Sequence, residues 1–248
     1  MKIHINSEYK NMEVFLKSLP TVFEKEGETI YKSRNELKIF EQEGLRINVK
    51  RYKKPIWINR IAYTFFRKSK AKRAYENAMT LLEKGFETPT PIAYLELSEG
   101  GLLNDSYFVS LHCPYKRLFR EFADDSSIDG REDIICSFGV LLARLHEANI
   151  FHLDLSVGNV IFDKLSDGYH FSLVDLNRMK FQKIGLKEGC QNFDRFRGSD
   201  DFFRLLAESY ATERGFNAAI CFKLALEAKQ KSLRHFQRKR KWRKAFSH

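Results

Sequence analysis

Hydrophobic and polar positions alternate along residues 29–32, 37–40 and 45–50, and the three stretches are separated by Ser33-Arg34-Asn35 and by Glu43-Gly44. Period-two alternation broken by turn residues predicts three short antiparallel strands. On the third, Leu45, Ile47 and Val49 share one face and Arg46, Asn48 and Lys50 the other. From Ser69 to Gly85 the period becomes helical, carried by Ala71, Ala74, Tyr75, Ala78, Met79 and Leu82, with Gly85 as the stop. Two more apolar runs, 91–97 and 106–111, flank Gly100-Gly101 as a second hairpin.

After residue 114 the pattern turns helical. Ile134, Ile135, Phe138, Leu141, Leu142 and Leu145 form the buried stripe of a helix over 134–149, behind an acidic start at Asp129, Glu132 and Asp133. Short strands at 160–162 and 171–174 enclose the turn Ser166-Asp167-Gly168, and 201–210 and 217–228 read as helices. The expected organisation is a strand-rich part over 1–113, a helical part over 114–228 and a basic tail over 229–248. No fixed-period repeat is present, which excludes solenoids and propellers.

With 248 residues, 43% of them hydrophobic, 22 Phe and only 5 Pro, the chain has ample material for a core and is unlike a disordered protein. Its net charge of +11 raises the prospect of a nucleic-acid or anionic-surface binder. The charge is localised: residues 46–73 hold 11 bases and no acid, residues 229–244 hold 9 bases and no acid, and the remainder is acidic. Cys113, Cys136, Cys190 and Cys221 lie far apart without a C-x-x-C pair, so a zinc ribbon or disulfide framework is not expected, and reduced thiols are. The opening residues lack an apolar signal core and no run approaches the ~20 apolar residues of a membrane span, so any membrane contact is expected at the surface.

The chemistry concentrates in His152-Leu153-Asp154-Leu155-Ser156-Val157-Gly158-Asn159, followed by Leu173-Val174-Asp175-Leu176-Asn177. H-x-D-x-x-x-x-N followed by a strand ending in Asp resembles the catalytic loop and metal-binding Asp of the protein-kinase-like superfamily. Within it the chain is most similar to the lipopolysaccharide kinases, on the strength of Val49-Lys50-Arg51-Tyr52, the helix leading to Thr88-Pro89-Thr90-Pro91, the run from Leu145 to Leu155, and Gln191-Asn192-Phe193-Asp194-Arg195-Phe196; the likeness spans about residues 29–215. The resemblance implies an α+β, two-lobe fold: a small antiparallel-sheet N-lobe with one helix, and a larger, mainly helical C-lobe.

It also implies roles. Asp154 would accept the proton of the substrate hydroxyl, Asn159 and Asp175 would hold Mg²⁺ and His152 would brace the loop. Lys50 would reach the ATP phosphates, Glu76 would pair with Lys50 (Glu83 is the weaker alternative), and Arg34 in the first turn would help cover the phosphates, since no G-x-G-x-x-G is present. Each position has an ordinary reading too: Asp and Asn favour turns, Lys50 lies among Arg51, Lys53 and Lys54, and Glu76 fits a surface helix. Leu153 and Ser156 replace the Arg and Lys of many protein kinases, Asp175-Leu176-Asn177 replaces D-F-G, and no A-P-E follows. These departures favour a glycolipid or small-molecule acceptor over a protein.

The implied enzyme is an ATP- and Mg²⁺-dependent phosphotransferase acting on a Kdo (3-deoxy-octulosonic acid) or heptose hydroxyl of the lipopolysaccharide inner core, with oligomeric state left open. A kinase of the same fold acting on a small molecule or a protein serine is the alternative. A basic nucleic-acid binder is the non-enzyme alternative; it leaves Asp154, Asn159 and Asp175 as coincidence, and no nucleic-acid partner is expected. The cations and aromatics of residues 53–68 and of the tail suit an anionic glycolipid and the cytoplasmic face of the inner membrane. In the tail, Phe222, Leu226, Leu233 and Phe236 are expected to dock on the C-lobe, with Trp242 and Phe246 opposite them among Arg238, Lys239, Arg240, Lys241, Arg243 and Lys244; a merely solvated tail is the competing reading.

Overall fold

The alternating stretch 29–52 folds as an antiparallel meander inside a six-stranded sheet. The computed structural model describes residues 1–124, 127–196 and 198–245, and for residues 123, 124, 239–241 and 243–245 the backbone alone. The chain divides into two units, one of Met1–Pro114 with Asp175–Arg178, the other of Tyr115–Val174 with the chain from Met179 onward.

In the first unit the elements are β1 (Lys2–Ile5), α1 (Glu13–Lys25), β2 (Glu28–Lys32), β3 (Asn35–Gln42), β4 (Leu45–Tyr52), α2 (Trp57–Ile61), α3 (Lys70–Glu83), β5 (Pro91–Glu99) and β6 (Leu102–Leu111). The sheet order is β1-β5-β6-β4-β3-β2, every pair antiparallel. One face carries Ile47, Val49, Ala93, Leu95 and Val109 and packs against Met12, Leu16, Leu19 and Phe23, from α1 and the turn before it. Helix α1 is absent from the sequence expectation, so this unit holds more than one helix. Pro20 removes a helical hydrogen bond inside α1, at a cost of about 3 kcal/mol. Fully burying Leu16, Leu19 and Phe23 at roughly 1.5–3 kcal/mol each outweighs it.

The opposite face is set by register. Tyr94 pairs with Phe108 and Phe108 with Lys50, so the three side chains share the face away from α1. Helix α3 covers that face through Tyr75, whose ring meets Tyr94 and His4 edge-on. Ser69 caps α3 by accepting from the Lys72 N–H.

The second unit holds β7 (Arg117–Leu118), α4 (Arg120–Asp124), α5 (Arg131–Glu147), β8 (Ile150–His152), β9 (Val160–Leu165), β10 (Gly168–Leu173), β11 (Met179–Phe181), α6 (Leu186–Gln191), α7 (Asp200–Arg214) and α8 (Ala218–Ala245). Its small sheets run β10-β9-β7 and β11-β8. The core is aromatic, with Phe119 4.2 Å from Phe138 between ring centroids and Phe122, Phe162, Phe171, Phe196 and Phe202 around them. Gly139 lets α5 approach α7, since a Cβ there would stand 2.0 Å from Ser209 Oγ.

Two expectations are corrected here. The tail does not begin a new segment at residue 229: α8 continues through Ala245, and Lys229 is tied to Asp200 and to the Gly198 carbonyl. The buried stripe of α8 is Cys221, Ala225 and Ala228, with Phe222 and Leu226 half-buried beside it, whereas Leu233 and Phe236 are exposed. Trp242 is exposed, and Phe246 lies outside the described residues.

The first basic stretch is also partly neutralised, by acids from elsewhere in the sequence. Arg51 is buried against Phe23 and pairs with Glu36 at 2.6 Å and with Glu24. Lys54 and Arg60 meet Glu99, and Lys68 meets Glu76.

Candidate active site

In the first unit, strand position brings Lys50 to Asp175: Lys50 Nζ donates to Asp175 Oδ1 at 2.6 Å, across 125 residues of sequence. Asn177 Nδ2 donates to the same oxygen at 2.7 Å, and Asn77 of α3 holds the segment by donating to the Leu176 carbonyl at 2.6 Å. Asp175 has φ 61°, a left-handed conformation that Asp tolerates better than most residues. Strained backbone of this kind is common at functional sites.

Glu76 does not pair with Lys50. Its carboxylate meets Lys68 at 2.9 Å, while Asp175 occupies the Lys50 ammonium. The Tyr52 ring lies 5.4 Å from Lys50 Nζ and 6.0 Å from Lys70 Nζ. Burial, together with the positive fields of Arg34, Arg73 and Lys50, pushes the Lys70 ammonium below the ordinary lysine value. Arg34, exposed in the β2–β3 turn, therefore stands near enough to act on Lys70, as do Arg73 and Lys50, and such a gathering of cations suits a polyphosphate.

In the second unit, β8 delivers His152 to the loop. Its Nδ1 accepts the Asp154 N–H at 3.1 Å, which leaves the proton on Nε2 to donate to the Val174 carbonyl at 3.2 Å. The ring is a brace, buried and bonded on both sides. Asn159 Nδ2 donates to the Asp154 carbonyl at 2.9 Å, closing the loop on itself and leaving Oδ1 to present a lone pair. Arg195 Nη1 donates to Asp154 Oδ1. Arg195 lies in the run 191–196 that carries part of the family resemblance, and no pattern in the sequence announces its pairing with Asp154.

A family model for the lipopolysaccharide kinase (Kdo/WaaP) family matches residues 20–214. The chain belongs to this family. The 3-deoxy-D-manno-octulosonic acid kinase of Xanthomonas euvesicatoria pv. vesicatoria (strain 85-10) is 32% identical over 98 residues, 40% of this chain and 36% of that protein. Its namesake from Xanthomonas campestris pv. campestris (strain B100) is 33% identical over 98 residues, with the same coverage. The match thus spans about a third of these relatives' length. A solved structure described as WaaP in complex with acyl carrier protein aligns with a TM-score of 0.63 at 14% identity, covering 94% of this chain and 99% of that one. The α+β, protein-kinase-like fold implied by the motif is the fold of this lipopolysaccharide kinase family member.

Each of the two motif residues carries an oxygen donor of the kind magnesium takes: the Asp175 carboxylate in the first unit, bonded through Oδ1 to Lys50 and Asn177, and the Asn159 amide oxygen in the second. Hard oxygen ligands few enough to leave room for water and phosphate are what Mg²⁺ takes. No group of three or more His, Cys, Asp or Glu is gathered for a metal among the described residues.

A buried chain of hydrogen bonds supports the family motif from behind. Arg214 Nη1 donates to Tyr210 Oη (2.5 Å), Tyr210 Oη pairs with His146 Nδ1 (2.8 Å), His146 Nε2 with Asn192 Oδ1 (3.2 Å), and Asn192 Nδ2 donates to the His152 carbonyl (3.0 Å). Gly189 makes room, because a Cβ there would lie 2.1 Å from the Tyr210 hydroxyl. Burial pushes His146 down to about 4. The folded protein then holds a neutral imidazole where the unfolded chain, at 6.5, binds a proton. The resulting stability is complete above pH 6.5 and is lost as pH falls toward 4, by about 3 kcal/mol in all. Urea unfolding at pH 7 and pH 4 is expected to show a drop larger by about that amount in the parent than in His146→Gln; parallel drops would contradict it.

Proposed function

We propose that the chain transfers the γ-phosphoryl group of ATP, with Mg²⁺, to a sugar hydroxyl of the lipopolysaccharide inner core, with Kdo favoured over heptose. The observation that carries this reading is the Lys50–Asp175 pair, which joins the strand lysine to the motif aspartate. The Xanthomonas relatives are 3-deoxy-D-manno-octulosonic acid kinases, which favours Kdo as the acceptor.

In this reading Lys50, Lys70 and Arg34 attract the nucleotide phosphates, and Asn159 and Asp175 hold the cation. Magnesium, when bound, neutralises charge on the phosphate oxygens. Asp154 orients the acceptor hydroxyl. The hydroxyl oxygen bonds to the γ-phosphorus as the bridging bond to ADP breaks, and the hydroxyl proton passes to the Asp154 carboxylate. His152 and Asn159 fix the loop so that positioning does most of the work. The test is phosphate transfer from Mg-ATP to Kdo-terminated and heptose-terminated core glycolipids beside a generic protein. Transfer to Kdo is expected. Transfer confined to heptose reassigns the acceptor, and transfer to protein alone overturns the reading.

Such an acceptor is carried by a membrane, and the surface suits one. Ile56, Trp57, Ile58, Phe65 and Phe66 are all exposed, Phe66 at 81%, and exposed Lys53 and Arg67 flank them. Apolar side chains beside cations match an anionic headgroup layer, and the position is peripheral on the cytoplasmic face of the inner membrane. No helix among the described residues is long and apolar enough to cross a membrane. In vesicle sedimentation, Trp57→Ala with Phe65→Ala and Phe66→Ala is expected to weaken binding to anionic vesicles at least tenfold. Deletion of residues 237–248 tests the tail separately. Unchanged binding by the triple variant would count against the aromatic segment.

A further inference from the structure

We propose that Asn48 selects the nucleotide base: its side-chain oxygen accepts from the 6-amino group of adenine, beside the Ser110 hydroxyl, so that adenine nucleotides bind in preference to 6-oxo purines. This rests on the phosphotransferase reading above. Asn48 Oδ1 is buried and has no hydrogen-bond partner among the described residues. An amide oxygen withdrawn from water and left unpaired destabilises a fold, and buried polar atoms are satisfied in the great majority of cases. A lone pair kept in that state is suited to a donor that arrives with a ligand.

Strand register says which part of a nucleotide that donor belongs to. Asn48 lies two residues before Lys50 on the same face of β4, ~7 Å along the strand. Asn48 pairs with Ile39 of β3 and Ser110 of β6, and Lys50 pairs with Leu37 and Phe108. Residues opposite one another in register share a face, so Leu37, Ile39 and Phe108 form an apolar surface that also carries the Asn48 amide, the Ser110 hydroxyl and the Lys50 ammonium. The cations gather at one end of it. Arg34 precedes Asn35, which pairs with Tyr52, and the Tyr52 ring lies 5.4 Å from Lys50 Nζ and 6.0 Å from Lys70 Nζ. Toward β5 the same face is taken by Tyr75 of α3, packed on Tyr94. A nucleotide whose phosphates meet these cations therefore has the side toward Ile39, Asn48 and Ser110 for its base, an apolar surface with a few placed polar groups.

The chemistry of the base edge then decides. Adenine presents an amino group at its 6-position, a donor, where guanine and hypoxanthine present a carbonyl oxygen. An amide oxygen only accepts, so the amine is its complement and the carbonyl sets lone pair against lone pair. Asparagine reads the 6-amino edge of adenine in this sense elsewhere. A purine with hydrogen at the 6-position leaves Oδ1 as unpaired as it is in the free protein. The three bases are thus graded by one atom.

Calorimetric titration of the full chain with the magnesium complexes of ADP, purine riboside diphosphate and inosine diphosphate, without acceptor, separates them. The parent protein is expected to bind ADP about 10- to 100-fold more tightly than inosine diphosphate, the scale of one buried acceptor left unsatisfied, with purine riboside diphosphate between the two. Asn48→Leu and Asn48→Ala are each expected to erase this order by weakening ADP, and Ser110→Ala to narrow it. Lys50→Met is expected to weaken all three and keep their order, because it acts on the phosphates. An ADP preference that survives both Asn48 substitutions overturns the inference, as does equal binding of the three, or tighter binding of inosine diphosphate, by the parent. Failure of the parent to bind any of the three overturns the phosphotransferase reading and the inference with it.

Discussion

Asp154→Asn is expected to lower kcat for phosphate transfer by about 10²–10⁴-fold, the range for removal of a general base. The substitution changes little else. Both hydrogen bonds that shape the loop here involve the Asp154 main chain, its N–H to His152 and its carbonyl to Asn159, and they survive in the variant. The amide cannot take the hydroxyl proton, and it offers Arg195 a neutral partner in place of a charged one. Nucleotide affinity, measured by titration with Mg-ADP, is expected to stay within about threefold, because a loss confined to the transition state lowers kcat without touching ground-state binding. A matching fall in nucleotide affinity would place Asp154 in a binding or structural role.

The second large effect concerns Lys50 and Asp175. Lys50→Met and Asp175→Asn are each expected to reduce kcat/KM by about 10²–10³-fold, as the loss of a preorganised charge does. The double variant is expected to be little worse than either single one, since the two groups meet at 2.6 Å and act as a unit. Full additivity of the two losses would mean that the ion pair is incidental. Glu76→Gln is a useful contrast. Its carboxylate is engaged by Lys68 on a half-exposed helix face, so the substitution is expected to leave kcat/KM within about twofold.

What could be read from the sequence followed local periodicity. The face of β4 that carries Lys50 followed from alternation, and the cross-strand register with Phe108 and Tyr94 follows the same parity. The spacing of His152, Asp154 and Asn159 marked the loop because the chemistry needs them close in the chain. Helix α1 was obscured by Pro20 and by the lack of a side-chain cap, although Leu16, Leu19 and Phe23 recur at helical spacing. The partner of Lys50 is hidden in the sequence for a different reason. Glu76 and Asp175 are both plausible acids in sequence, and only the fold of the Asp175–Arg178 segment into the first unit decides between them. Arg195, Asn177 and the chain from Arg214 to His152 depend on contacts between distant elements, for which a single sequence carries no periodic signal. The cationic run over 46–73 shows the same limit: several of its charges are met by Glu24, Glu36, Glu76 and Glu99, all outside the run.

The most direct test of the central claim is incorporation of labelled phosphate from γ-labelled Mg-ATP into a Kdo-terminated core glycolipid, with the parent protein, Asp154→Asn and Asp175→Asn assayed side by side. The account predicts label on the glycolipid with the parent protein and at least a hundredfold less with either variant. Label incorporated at the parent rate by both variants, or label on protein with none on the glycolipid, would contradict it.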